Sequence, residues 1–482
     1  MLAPRIWLRK LACRLTLVRI LEWALVVTQL AAAAAWAWPA QRDARLRLGW
    51  AALLAGLLVL QPVLEGYRWQ LWGLYASGTL LAGSQLRTGR SRLAGSSLAL
   101  LVLLSTALPL LFPVPRLMPP TGPHAVGVTT FAVTDPVRKE IYSDNPLDAR
   151  EVLVQVWYPA VPAPGAQRGP WLDQVELLAP IISRAIKMPD FLLDHLKYGE
   201  TNSYPNAPIL STPAQLPVVH FSHGWDSFRT QSTFLMEELA SQGYVVVSTE
   251  HPYGAVGTIM PDGRILAHNR AILPRGAPAD VYHAAAVRQA EQWVGDVQLV
   301  LEHLRMLPQT EPGNQLAGRL LLERVGITGH SNGGGAALEF CSRIPQCGAY
   351  IGFDPWINPV SEPARRAGLE QPALFLFSDG KSLTGWNPEE NQEQFAQVRP
   401  NLRGPTLLLT LRNSGHYDFA DLPLLSPLAP LLGLKGSIEG ERALTIVRAM
   451  SVAFFDEHLR GQPQLLLQNP AAAFPELYST SD

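Results

Sequence analysis

The chain has 482 residues, of which 48% are hydrophobic and 16% charged, with a formal net charge of −1. That charge is unevenly divided: through Arg116 there are 13 Lys/Arg against 3 Asp/Glu, a balance of +10, which leaves −11 on residues 117–482. The acidic portion excludes nucleic acid as a partner and gains little from anionic headgroups, so any hold on a membrane is expected from inserted helices.

Residues 1–116 contain four uncharged stretches: Trp23–Gln41, Leu48–Leu64, Trp69–Leu86 and Leu93–Pro115. A helix needs about 20 apolar residues to cross the hydrocarbon core. The pattern predicts an all-α transmembrane region of about four helices, near 20–40, 48–65, 69–86 and 93–114. The middle two form a tight hairpin over Glu65-Gly66-Tyr67-Arg68. No amphipathic stripe marks these runs as buried helices of a soluble domain. A signal peptide would explain the first stretch and not the other three. The charged loops set an orientation. Arg42, Arg45, Arg47, Arg87, Arg90 and Arg92 fall on one face of such an arrangement, and Arg68 and Arg116 on the other. By the positive-inside rule this places residues 117–482 outside the cytoplasm, at a multi-pass cell membrane. Arg5, Arg9, Lys10, Arg14 and Arg19 oppose that placement unless they lie on a surface helix with Trp7, Leu8, Leu11 and Leu15 on its apolar side.

Residues 117–482 alternate strand and helix patterns, which predicts an α/β domain with a mostly parallel sheet. The expected strands are 126–133, 152–158, 218–222, 244–249, 325–328, 349–353, 373–377 and 406–411. The expected helices are 231–241, 281–306, 335–341 and 441–459. Residues 171–200 break the rhythm, with apolar residues at helical spacing from Leu177 to Leu196. They form a possible lid insertion or acyl-pocket wall, or else helices packed on the sheet. The last twenty or so residues read as a loosely held tail. Cys341 and Cys347 are six apart across a predicted helix–strand turn. That spacing permits a disulfide, and equally two buried thiols.

The chemistry concentrates at Gly329-His330-Ser331-Asn332-Gly333, between a β-rich run and a helix-prone one. This is the G-x-S-x-G nucleophile elbow, whose tight turn needs residues without side chains on both sides of the serine. A serine needs a base, and the base an orienting acid, both following it in chain order. Two histidines remain, His416 and His458. His416 follows a strand-like run, where such a base belongs; His458 sits in a helical run and is expected on its surface. For the acid, Asp354 and Asp379 each follow a strand-like run. The expected oxyanion donors are the N–H groups of Asn332 and Trp225, the latter turned inward by Gly224. The imidazole of His223 is expected to brace this loop. Trp225, Trp356 and Tyr417 are candidates to line an apolar pocket. No cofactor and no metal is expected, since there is no H-E-x-x-H and no clustered Cys/His set.

Several of these segments resemble the platelet-activating-factor acetylhydrolases. Phe221-Ser222-His223-Gly224 with Phe228-Arg229-Thr230 is similar to that family's oxyanion loop, as is Leu239–Val247 leading to Glu250-His251. Gly329–Gly334 resembles its serine motif, Gly352-Phe353-Asp354-Pro355-Trp356 its aspartate motif, and Ser414-Gly415-His416 with Phe419-Ala420-Asp421 its histidine motif. Together with Thr121-Gly122-Pro123 and Val154–Pro159, the likeness covers roughly residues 120–460. It implies an α/β-hydrolase fold, Ser331, Asp354 and His416 as a triad, and Trp225 and Asn332 as oxyanion donors. It also implies a lipid or small ester substrate with a short or oxidised acyl chain. The animal enzymes are secreted or lipid-anchored, whereas this chain begins with the apolar stretches above. The expected function is thus a membrane-anchored serine ester hydrolase. Its rivals are a broader carboxylesterase or acyltransferase, and a non-catalytic membrane sensor on the same fold.

Overall fold

The computed structural model describes residues 19–37, 43–87, 92–380, 386–431 and 433–480. The N-terminal basic segment with Arg5, Arg9, Lys10, Cys13 and Arg14, and also Arg42 and Arg90, lies outside the described residues. The chain forms two compact units. One comprises the residues up to Arg116 with Pro189–Gly199 and Leu425–Leu428; the other holds Leu117–Met188, Glu200–Leu424 and the segment from Ala429 onward.

The first unit contains α1 (Ile20–Ala37), α2 (Ala44–Leu64), α3 (Trp72–Gln85) and α4 (Arg92–Leu111). Their Leu- and Ala-rich sequences favour helix, and the Asp43 carboxylate caps α2 by accepting from the Arg45 N–H. Polarity is inverted relative to a water-soluble bundle. Glu22, Gln29, Gln61, Arg68 and Ser77 are buried, while Val63, Leu64, Leu103 and Leu104 are exposed. The buried groups satisfy one another: Arg68 pairs with Glu22 and donates to the Phe112 carbonyl, and Gln29 bridges Ser77 and the Leu74 carbonyl. Among the described residues, two helices, Ala44–Leu64 and Arg92–Leu111, are long and apolar enough to cross a membrane. The expected third span is shorter than its apolar stretch. A 3-10 turn, Trp69–Leu71, precedes α3, whose 14 residues reach about 21 Å at 1.5 Å per residue, short of a core about 30 Å thick.

The second unit is built on a ten-stranded sheet whose strands, from one edge to the other, begin at Leu477, Thr406, Ala373, Cys347, Leu320, Leu216, Val245, Ala149, Ala125 and Ser203. In chain order these are β1 (Ala125–Lys139), β2 (Ala149–Ala160), β3 (Ser203–Pro205), β4 (Leu216–Ser222), β5 (Val245–Glu250), β8 (Leu320–His330), β9 (Cys347–Phe353), β10 (Ala373–Ser378), β11 (Thr406–Leu411) and β12 (Leu477–Ser479). β6 (Gly257–Ile259) and β7 (Ile265–Ala267) form a separate ribbon. From β11 to β5 every pairing is parallel, whereas β2 and β12 run antiparallel to their inner neighbours. All eight expected strands are present. The C-terminal tail is not loose: Leu477–Ser479 pairs with β11 and the Leu477 side chain is buried. Three residues are too few for alternation to register, so the tail carried no strand signal.

Helices cover both faces of this sheet. α7 (Ala279–Thr310) lays Val294, Val297, Leu301 and Leu304 on one face, and α6 (Thr233–Ser241) and α9 (Gly440–Arg460) bring Phe234, Leu444, Val447 and Phe454 to the other. The insertion expected over 171–200 is divided. α5 (Val175–Ala185) belongs to the sheet unit, and the 3-10 helix Asp190–Tyr198 counts with the helical unit, where Phe191 stacks edge-on to Trp69. α8 (Asn332–Arg343) leaves the end of β8, and Cys341 in its last turn is disulfide-bonded to Cys347 at the start of β9, with Cα atoms 5.1 Å apart.

Candidate active site

Ser331 occupies the turn between β8 and α8 with φ 55° and ψ −122°, a conformation costly for a residue with a side chain. Its surroundings over-determine it. The Ser331 N–H donates to the Phe353 carbonyl at 3.0 Å, and its own carbonyl accepts from Gly335 at 3.0 Å and Trp356 at 2.8 Å. A Cβ on Gly333 would lie 2.2 Å from the Ser222 carbonyl oxygen, and one on Gly329 would lie 2.4 Å from the Gly333 backbone. The turn therefore closes only with glycine at both places.

The base and acid come from the ends of β11 and β9. His416 Nε2 lies 2.9 Å from Ser331 Oγ, and His416 Nδ1 lies 2.6 Å from Asp354 Oδ2. Asp354 is itself held, Oδ1 by the Ser378 N–H at 3.0 Å and Oδ2 by the Ser378 hydroxyl at 2.7 Å. With a carboxylate on Nδ1, that nitrogen carries the proton and Nε2 faces the serine as an acceptor. Asp379, the rival acid, instead accepts from the Asn413 N–H at 2.8 Å and braces the turn that delivers His416. His458 packs its ring on Phe454 along α9. The structure thus brings Ser331, His416 and Asp354 together and leaves Asp379 and His458 out of their hydrogen bonds.

The second half of the site is a pair of backbone donors. A Cβ on Gly224 would stand 3.4 Å from Ser331 Cβ and 3.1 Å from His330 Nδ1, so the loop after β4 runs directly beside the serine. Among the described residues, the N–H groups of Trp225 and Asn332 have no intramolecular acceptor. Two such donors beside a nucleophilic serine can receive the charge of a tetrahedral oxyanion.

Residues that sequence reasoning did not single out also shape the site. His330 donates from Nε2 to the His416 carbonyl at 2.7 Å, locking the base's backbone from the position before the nucleophile. Trp386 stacks on the His416 ring, centroids 3.9 Å apart. Gln231 accepts from the Gly224 N–H at 2.8 Å. Asp418 Oδ2 accepts from Gly415 and Gly436, each at 2.7 Å, fixing the histidine loop. Trp225, Trp356 and Tyr417 are each half-buried. Trp225 and Trp356 join Tyr282 and Tyr142 around Ile272, Leu273 and Ala286, which gives an aromatic wall near the serine.

Behind the oxyanion loop lies a second Ser–His–Asp string. Ser222 Oγ is 3.2 Å from His251 Nε2, and His251 Nδ1 is 2.9 Å from Asp296 Oδ2. All three side chains are sealed from solvent. Asp296 also accepts from Nε and Nη2 of Arg150 and from Nη2 of Arg138, while Nη1 of Arg150 donates to Glu140. Burial pushes the Asp296 carboxyl up, but the Arg150 charge and the His251 and Arg150 hydrogen bonds outweigh it and hold the group well below the ordinary carboxylate range.

The profile of the family described as platelet-activating factor acetylhydrolase, isoform II, matches residues 113–259 and 282–466. The chain belongs to that family. Within it, the chain is 27% identical over 274 residues to the platelet-activating factor acetylhydrolase of Cavia porcellus, covering 53% of this chain and 60% of that protein. It is 23% identical over 380 residues to the enzyme of that name from Gallus gallus, covering 70% and 82%. It is 21% identical over 402 residues to a probable 1-alkyl-2-acetylglycerophosphocholine esterase of Arthroderma benhamiae, covering 74% and 92%. Among solved structures, a ferulic acid esterase from Streptomyces cinnamoneus superposes with a TM-score of 0.61 at 29% identity, covering 76% of this chain and 99% of that one. The matched family residues begin at 113, so the apolar helices α1 to α4 lie ahead of the family region.

Proposed function

We propose that this family member is a membrane-anchored carboxylic ester hydrolase, similar to 1-alkyl-2-acetylglycerophosphocholine esterases, that works through an acyl-enzyme on Ser331. The observation that carries the reading is the run of hydrogen bonds Ser331–His416–Asp354, 2.9 Å and 2.6 Å, beside two vacant backbone donors. Ser331 Oγ attacks the ester carbonyl as His416 takes its proton. Asp354 keeps the imidazole in the required tautomer and stabilises the imidazolium. The N–H groups of Trp225 and Asn332 receive the oxyanion. His416 then protonates the leaving alcohol, and water, deprotonated by His416, releases the acid. No step calls on a metal.

The names of the relatives support short acyl esters of a glycerophospholipid as substrates. The likeness to a ferulic acid esterase supports a second reading, a carboxylesterase for bulkier aromatic acyl groups. Residues 1–116 act in this proposal as the anchor and 117–482 as the catalytic part. Support comes from the two helices of spanning length and from leucines turned outward over buried polar groups. A disulfide at Cys341–Cys347 fits an oxidising, extracytoplasmic location, as does the loop charge.

Fluorophosphonate labelling of the membrane fraction, followed by peptide mapping, tests the chemistry. The adduct is expected on Ser331 and absent from Ser331→Ala; an unlabelled wild type, or equal labelling of the variant, refutes it. Turnover across esters of graded acyl length, with and without a phosphocholine head and including feruloyl esters, separates the two substrate readings.

A further inference from the structure

The hydrogen bonds around the loop after β4 assign a specific task to a buried imidazole. His223 is fully buried, with its ring 5.0 Å from Trp293 and 5.2 Å from His251, centroid to centroid. The backbone N–H of His251 donates to His223 Nε2 at 3.1 Å. An N–H can only donate, so Nε2 must be the bare nitrogen and the ring proton sits on Nδ1. Nδ1 lies 2.7 Å from the Gly224 carbonyl oxygen, which therefore receives that proton. Burial holds the ring neutral by lowering its pKa well below the ordinary value.

The Gly224 carbonyl shares a planar trans peptide with the Trp225 N–H, and in such a unit C=O and N–H point in opposite directions. Fixing one fixes the other. The flanking backbone is pinned separately, by Gln231 on the Gly224 N–H at 2.8 Å and by the Gly254 carbonyl on the Asp226 N–H at 2.9 Å. Among the described residues, His223 is the one partner of the Gly224 carbonyl, and the Trp225 N–H opposite it has none. Gly224 stands beside Ser331, within 3.4 Å of its Cβ as measured from an added methyl. A Cβ there would crowd His330 Nδ1 at 3.1 Å, and glycine, which eases that approach, leaves its peptide free to turn unless it is held.

We propose that His223 is a positioning residue for the oxyanion site: by donating from Nδ1 to the Gly224 carbonyl, it aims the Trp225 N–H at the carbonyl oxygen that Ser331 converts to an oxyanion. This rests on the esterase reading above and adds the group that preorganises one of its two donors. The second string sits directly behind this device, since the residue whose backbone N–H sets the His223 tautomer, His251, is held by Asp296.

Two isosteres separate the roles of the ring nitrogens. In His223→Asn the amide N–H falls near the Nδ1 position and can still reach the Gly224 carbonyl. In His223→Gln the amide falls near the Nε2 position and cannot. Losing an oxyanion donor outright costs about 10²–10³ in kcat, so His223→Gln is expected to lower kcat by roughly tenfold to a hundredfold with KM little changed. Affinity for a trifluoromethyl ketone, whose adduct carries the oxyanion, should weaken by the same factor, while His223→Asn retains most of both. Equal losses in the two variants, or a rise in KM at constant kcat, would overturn the proposal. Wild-type turnover that survives Ser331→Ala would remove the esterase reading and this proposal with it. Ser331-dependent turnover with indistinguishable Asn and Gln variants would remove the proposal alone. Should the Gln variant not fold, nitrogen NMR of the wild-type protein reads the tautomer directly. A proton on Nδ1 of His223 is expected, and a proton on Nε2 would overturn the assignment.

Discussion

Ser331, His416 and Asp354 make one Ser–His–Asp string in the sheet unit, and Ser222, His251 and Asp296 make another. Donors and acceptors follow the same order in both, at similar distances. Their settings differ. Ser331 is half-buried and at positive φ, and among the described residues the nearby Trp225 and Asn332 N–H groups have no acceptor. Ser222 ends an extended strand and is 1% exposed. Asp354 is held by the amide and hydroxyl of Ser378, whereas Asp296 is committed to Arg150 and Arg138. A serine becomes a candidate nucleophile through access, backbone strain and a place for the developing charge; the hydrogen-bonded pattern alone also serves as a brace.

Breaking the acid in each string should separate the two most sharply. Asp354→Asn leaves the fold in place and presents the wrong tautomer to Ser331, so kcat is expected to fall by about 10⁴. Asp379→Asn, whose carboxylate holds the Asn413 turn, should cost far less. Steady-state kinetics on one ester decides this, and the reverse ranking would transfer the role to Asp379.

In the sealed string the loss should appear as stability. Asp296→Ala removes the bidentate partner of Arg150 and leaves it Glu140 alone, and removing one member of a buried pair costs about 3–5 kcal/mol. Urea unfolding in detergent would show a midpoint well below wild type, and an unchanged midpoint would contradict the brace assignment.

A graded effect should come from acid. His220, His223, His251 and His330 are buried, and burial lowers each pKa from the ordinary 6.5, that of His220 to about 3. Once unfolded, each imidazole regains its ordinary value and binds a proton that the folded state refuses. Stability is therefore full above about pH 6.5 and declines as pH falls toward the folded values, by up to about 1.4 kcal/mol per pH unit for each ring. Unfolding midpoints at about pH 7 and pH 5 measure it, and pH-independent midpoints would count against neutral burial.

Much of the site was legible because its signals are local. The elbow is a contiguous motif whose glycines are required by the turn, and His416 follows a strand long enough to show its apolar run. The choice between Asp354 and Asp379 was not legible from pattern alone, because both aspartates follow central strands of the sheet. The family resemblance ranked them, and contact distances separate them. Trp386, His330 and Gln231 gave no signal, since stacking and single hydrogen bonds across long sequence separations leave no periodicity. The helical unit shows the same division. Four apolar stretches announced four helices, while the buried pairing of Glu22 with Arg68 depends on which faces meet.

The sequence by itself determined the order of the eight longer strands, the strained serine turn and the apolar N-terminal helices, because each follows from spacing and residue type within one segment. Only the tertiary structure decided which acid meets His416, that Ser222 lies sealed behind Ser331, and which nitrogen of His223 faces Gly224. Those outcomes hang on side chains tens to hundreds of residues apart converging within about 3 Å, and a hydrogen bond at that range depends on packing that no single segment encodes.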